Sequence, residues 1–454
     1  MFKILDSFVY PLKLIKRALQ RLLDKKLSKD FESKKYKKIH RFYKVRNHLR
    51  KFFLESFFFR LIFSKRLKNT LPIYIYKVDS IKELCKDKNF NYQIVEKAQE
   101  VEVVEPSYIT FENKSVHFKQ EKIHKCHSKD IYIAEMLDVG IVGENTAVLT
   151  DRKLLNDMAK NDLKMRLDLA FGSIKHINNE RAIIEYQESK EQISEGISLI
   201  GFAPWNYFHL TVELLSRLEY IDKKAEYADI PLLVDDSILK IPQYLDLLNI
   251  MNKKNRKVIP IKKSLLYKVG RLIYPSYSSH MPINVKTSTC INDFLISKRA
   301  LSFIRETVFD YFGIDTNKKI GSKKLFISRK NLDHTRLSNE KKVVEYFSEK
   351  KFEIIFPERM SFEEQVKMFS EAIIIAGSTG AAFTNIIYCP KDTLLLNIIP
   401  KNYHFYLFST MAKLLKLESC FFDADVVKKS LAPSCETYKV NMKLIEYFFD
   451  SNIK

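Results

Sequence analysis

Three segments carry residue types whose spacing suits chemistry. The first runs Trp205-Asn206-Tyr207-Phe208-His209 and continues to Glu213 and Arg217. His209, Glu213 and Arg217 are four apart, so on a helix they share one face. A histidine oriented by a carboxylate one turn away can take a proton as a general base. The alternative is a buried, mutually satisfied polar cluster. The second segment is Ala372-Ile373-Ile374-Ile375-Ala376 followed by Gly377-Ser378-Thr379-Gly380 and then Ala381-Ala382-Phe383-Thr384-Asn385. An apolar strand entering a glycine turn and then a helix can bring backbone amides against an anion. The alternative is a tight strand-to-helix turn with small residues for packing. The third segment is Phe326-Ile327-Ser328-Arg329, then Arg336-Leu337-Ser338-Asn339-Glu340. Two arginines near a helix start suit a diphosphate, because guanidinium forks pair with its oxygens. A surface arginine pair bridged to Glu340 or Asp333 is the rival.

These segments must be held by alternating strands and helices. Strand patterns at Lys324–Ser328, Phe352–Phe356, Ala372–Ala376 and Thr393–Ile398 alternate with helix patterns at Asn339–Lys350, Ser361–Ser370 and Thr379–Tyr388. That order implies βαβ units and a parallel sheet. The triplets Ile373-Ile374-Ile375 and Leu394-Leu395-Leu396 fit strands covered on both faces. Upstream, an apolar run at Ile197–Phe202, a helix to Tyr220, a strand at Pro231–Val234 and a helix at Gln243–Met251 continue the α/β pattern. Asp293 is expected to cap a helix that ends at Gly313. A helix is also expected over Leu154–Ala170.

The charge is uneven. Residues 1–70 hold 21 Lys/Arg against 5 Asp/Glu, a net of +16, out of +22 for all 454 residues. The body is nearly balanced, which argues against a nucleic-acid surface spread over the whole protein and leaves a basic arm. Within it, Phe52 to Phe63 is rich in aromatics and flanked by Arg50, Lys51, Lys65, Arg66 and Lys68. Such a segment suits an anionic membrane surface; a solvated basic helix with its aromatics packed on the body is the other reading. Charges interrupt every apolar stretch near the start, so neither a signal-peptide core nor a spanning helix is expected. Six scattered cysteines with no CxxC favour reduced thiols and a cytoplasmic protein. His124, Cys126 and His127 lie close together, but no second ligand pair follows at finger spacing.

Taken in order, the three segments resemble glycosyltransferase family 61. The matching stretch is about 203–400. It comprises N-Y-F-H-x-x-x-E at Asn206–Glu213, S-R at Ser328–Arg329, R-x-x-N-E at Arg336–Glu340, S-F-E-E-Q-V at Ser361–Val366 and G-x-x-G-A-A-x-T-N at Gly377–Asn385. The resemblance implies a GT-B-like fold, with two Rossmann-like domains facing across a cleft. The expected division is a basic helical arm over 1–70, an acceptor-side domain over 71–290 and a nucleotide-sugar-binding domain with a C-terminal helix over 291–454. It also implies an inverting transfer from a nucleotide-sugar donor to a polysaccharide or lipid-linked glycan, as in capsule biosynthesis. His209 would be the base and Glu213 its orienting partner. Arg329, Arg336, Gly377, Ser378, Thr379, Gly380 and Asn385 would hold the donor, with Glu340 and Gln365 as further candidates for ribose or base contacts. No metal, cofactor or nucleic acid is expected, and the arm would place the enzyme peripherally on the inner face of the membrane. Two positions depart from the family pattern: Thr379, where the family often has histidine, and Asn397, where it often has an acidic residue. They leave an inactive scaffold of a polysaccharide-assembly complex as the alternative. A polyanion-binding protein is the more remote one.

Overall fold

The computed structural model describes residues 71–452, apart from 114, 151, 165, 283, 284, 286–288, 316–320, 331–335, 402 and 431–435. The basic arm expected over 1–70 lies outside the described residues. The rest is mixed α/β, as the alternation predicts. An 11-stranded sheet and an 8-stranded sheet dominate, with a separate two-stranded sheet pairing Glu100–Glu105 with Lys122–His127. Among the described residues no helix is long and apolar enough to cross a membrane.

In the first sheet, Gln187–Ser198 runs parallel to both Leu265–Pro275 and Leu232–Asp235. Ile197 pairs with Ile273 and with Leu232, so the segments that follow these strands leave on the same side. In the second sheet, Lys323–Ile327, Ala372–Ser378, Leu394–Pro400 and Glu418–Lys428 are mutually parallel neighbours. Ile327 pairs with Gly377, so the Ser328-Arg329 turn and the glycine turn emerge side by side. This is the placement that puts ligands at the carboxyl ends of parallel strands. Ser107–Glu112 and Ser115–Lys119, from the segment expected in the first domain, join this second sheet beside Glu418–Lys428. The two sheets share one apolar core: Ile197, Leu210 and Ile273 cluster with Leu325, Ile375, Phe383 and Leu395.

Local chemistry corrects several element assignments. The helix expected over 154–170 is only Asp157–Asn161. Leu154 and Leu155 instead extend the first sheet beside Val78 and Asp79, and Asn156 caps the short helix by accepting the Ala159 N–H. The helix after residue 290 is capped by Ser297, not Asp293, and runs Lys298–Phe312 with Gly313 in the left-handed region at its end. Asp293 is drawn away by Arg166 and the Cys290 N–H. The element after the glycine turn, Ala381–Tyr388, is a 3₁₀ helix and not an α-helix. Its first bond, Phe383 N–H to the Gly380 carbonyl at 3.0 Å, tightens the turn and reduces the row of free amides an α-helix would present.

Candidate active site

The helix that carries His209 starts as one turn of π-helix, His209–Leu214, passes through a 3₁₀ turn and ends in a short α-helix. Local widening of this kind recurs at functional sites. The four-residue spacing still brings His209 and Glu213 together: His209 Nδ1 donates to Glu213 Oε2 at 2.7 Å, and both residues are 2% exposed. With the Nδ1 proton held by the carboxylate, Nε2 keeps the lone pair and is the basic atom. The other oxygen, Oε1, accepts the Met281 N–H at 2.6 Å and lies 3.8 Å from His280 Nδ1. His280 and Tyr277 follow the strand Leu265–Pro275, so the fold delivers a second imidazole that spacing along the helix did not signal. Both ring nitrogens of His280 are sealed from solvent without a hydrogen-bond partner. Burial pushes its pKa down to about 4, with Lys129 and His209 adding to the effect against the opposing pull of Glu213.

Arg217 does not join this pair. It is fully buried and donates to the carbonyls of Leu214, Pro275 and Ile200, and its guanidinium lies 4.7 Å from the Tyr277 ring centroid. It therefore ties together the ends of two parallel strands. Asp235, at the end of a third, accepts the N–H groups of Gly201 and Glu144. Complete burial outweighs those bonds and pushes its pKa up to about 7. Trp205, two residues before Tyr207, is exposed and stacks on Phe171 at 5.1 Å.

On the second sheet the two arginines converge on the glycine turn. Arg336 donates to the Thr379 carbonyl at 2.8 Å. A Cβ on Gly380 would lie 2.4 Å from Arg329 Nη1, so that guanidinium lies directly against the turn. Among the described residues neither arginine forms an ion pair, and the Arg329 Nε is buried without a partner. Desolvation and then the Arg336 charge lower the Arg329 pKa to about 10. Two neighbouring cations with no carboxylate ion-pair partner among the described residues make a site that favours an anion.

The remaining donor candidates have other duties. Glu340 Oε1 accepts from Ser328 Oγ at 3.0 Å and from the Arg329 N–H at 2.6 Å, which holds the turn that aims Arg329. Gln365 donates to the Pro357 carbonyl and accepts from Asn385 Nδ2 at 2.9 Å, while Asn385 Oδ1 accepts from the Tyr207 hydroxyl at 2.8 Å. Both are buried, so this chain joins the His209 helix to the second sheet and does not face an open surface. Ser378 Oγ bonds to the Tyr438 hydroxyl at 2.6 Å. Thr379 Oγ1 and both amide atoms of Asn397 are buried without partners. Gly377 packs against the neighbouring strand, 2.9 Å from a Cβ position to the Ile327 carbonyl. His124 pairs with Glu105 and not with a ligand set, and among the described residues no three His, Cys, Asp or Glu side chains converge as a metal site would require.

No curated protein matches the chain. The family model described as Glycosyltransferase 61 matches residues 207–396, a span that holds the His209–Glu213 pair, both arginines and the glycine turn. Residues 207–396 are thus similar to glycosyltransferase family 61, and that segment supports a glycosyltransferase activity for the chain.

Proposed function

We propose that this glycosyltransferase inverts at the anomeric carbon, moving a sugar from a nucleotide-diphosphate donor to a polysaccharide or lipid-linked glycan. The observation that carries the donor assignment is the pair Arg329 and Arg336, converging on the glycine turn with no ion-pair partner among the described residues. The acceptor hydroxyl attacks the anomeric carbon as the bond from that carbon to the diphosphate oxygen breaks. The electron pair leaves with the diphosphate, where the two guanidinium groups offset the growing charge. The acceptor proton passes to His209 Nε2, and Glu213 stabilises the imidazolium that results. In this scheme the arginines do the work of a divalent ion.

In this reading both sheets would present their strand ends to one cleft, the GT-B-like arrangement. The contacts Tyr207 to Asn385 and Gln243 Nε2 to the Met360 carbonyl cross between those ends. Because His209 is nearly inaccessible, these contacts must part for an acceptor to enter, and their closing would exclude water from the transfer. The basic residues 1–70 would hold the enzyme peripherally on the inner face of an anionic membrane, next to a lipid-linked acceptor of surface-polysaccharide synthesis.

The test is calorimetric titration of UDP, GDP, ADP and CDP into the full chain and into Arg329→Ala. At least one nucleotide should bind, and the variant should bind it more than tenfold more weakly, a change of about 1.4 kcal/mol or more. Equal affinities would move the donor elsewhere. Binding without any donor hydrolysis or transfer would favour the inactive scaffold.

A further inference from the structure

We infer that Tyr438, outside the family-matched segment, is a positioning residue of the donor site, an assignment that rests on the donor reading above. The strand Thr437–Val440 arrives late in the chain and pairs antiparallel with Glu418–Lys428 at one margin of the second sheet. Its backbone also grips the loop that carries Arg336. The Tyr438 N–H donates to the Arg336 carbonyl at 2.8 Å, and the Tyr438 carbonyl accepts the Ser338 N–H at 2.7 Å. Asn339 completes the grip, with Nδ2 donating to the Val440 carbonyl at 2.9 Å and Oδ1 accepting the Val440 N–H at 3.2 Å.

The side chain of Tyr438 reaches the other component of the site. Its hydroxyl lies 2.6 Å from Ser378 Oγ, in the glycine turn, and 3.3 Å from the Ile398 carbonyl, which also accepts the Thr379 N–H. Tyr438 is fully buried, so the hydroxyl has no water to replace these partners. One residue therefore bonds to the backbone of Arg336 and to the turn that the Arg336 guanidinium touches. It fixes the distance between the two halves of the anion site, and that distance decides whether both guanidinium groups reach one diphosphate. Removing the hydroxyl leaves Ser378 Oγ buried with no partner, and the serine must turn or the strand end must shift.

The experiment compares Tyr438→Phe with Leu444→Ala. Leu444 packs in the same apolar cluster, on the helix Met442–Asn452, and its side chain has no polar atom to bond the donor groups described above. Each full-length variant is titrated with UDP, GDP, ADP and CDP well below its melting temperature, and donor KM and kcat are measured. Tyr438→Phe should bind the preferred nucleotide about tenfold more weakly and raise donor KM more than it lowers kcat. Leu444→Ala should melt at least as early and bind as the parent does. Parental affinity in Tyr438→Phe, or an equal loss in Leu444→Ala, overturns the assignment and leaves the donor site where it is. A parent chain that binds none of the four nucleotides overturns the donor reading itself.

Discussion

The two glycines of the donor turn should respond differently to the same methyl group. Gly380 has φ 172°, an extended conformation that alanine adopts freely, so Gly380→Ala carries no backbone strain. Its new Cβ would lie 2.4 Å from Arg329 Nη1 and 3.5 Å from Cζ. Ordinary contact begins near ~3.5 Å, so the guanidinium must retreat by roughly 1 Å. Arg329 is a flexible side chain, and the retreat costs the fold little. It would nevertheless break a hydrogen bond between charged groups, worth ~1.5–3 kcal/mol, or about 10- to 150-fold in donor affinity. At Gly377 the Cβ would meet the Ile327 carbonyl at 2.9 Å, on the paired strand, where backbone cannot yield cheaply. Overpacking of that kind costs about 1–3 kcal/mol of stability. The assay is nucleotide titration together with a thermal melt of each variant. Gly380→Ala should keep its melting temperature and lose affinity, whereas Gly377→Ala should lose melting temperature first. Parental affinity in a well-folded Gly380→Ala protein would refute the claim that the Arg329 guanidinium meets the donor.

For the acceptor side, His209→Ala should lower kcat by ~10²–10⁴-fold with donor affinity nearly unchanged, and near-normal turnover in the folded variant would remove the base assignment. Glu213→Gln should cost less, because Glu213 only orients and polarises the imidazole and an amide oxygen turned toward His209 can still accept the Nδ1 proton. Two groups whose titrating atoms are sealed from solvent, the His280 ring nitrogens and the Asp235 carboxylate, should give opposing pH dependences of stability. His280, held neutral with its pKa lowered to about 4, contributes stability above the unfolded value near ~6.5 that is lost as pH falls toward 4. Asp235, raised to about 7, makes the fold lose stability as pH rises from about 4 to 7, because the unfolded chain releases its proton first. Urea unfolding of His280→Gln between pH 4 and 7 should therefore show a steeper fall with rising pH than the parent, and an unchanged slope would contradict the burial argument. Deleting residues 1–70 should abolish cosedimentation with phosphatidylserine vesicles and spare nucleotide binding; equal sedimentation of the truncated protein would count against a membrane role for the arm.

Much of the His209 segment was legible because its geometry is local. Two residues four apart on any helix-like turn face each other, so His209 and Glu213 meet even though the turn is π-helical and not α-helical. The strand and helix order from Lys323 to Pro400 follows from hydrophobic period and turn residues, which act over a few positions. Arg217 did not follow this pattern: its buried guanidinium took a carbonyl of its own helix and two carbonyls at the ends of separate strands in place of the glutamate one turn away. Spacing did not signal that the Gln365 and Asn385 amides bond to each other and to Tyr207, across 178 positions of sequence between Tyr207 and Asn385. His280 and Tyr438 had no sequence signal at all. Their roles arise because parallel strands end side by side and a late strand folds back over an earlier loop. Sequence alone determined which residues could do acid–base and anion chemistry. Only the tertiary structure decided which of them meet, because a polar group cut off from water must take its partner from whatever the packed chain brings within about 3 Å.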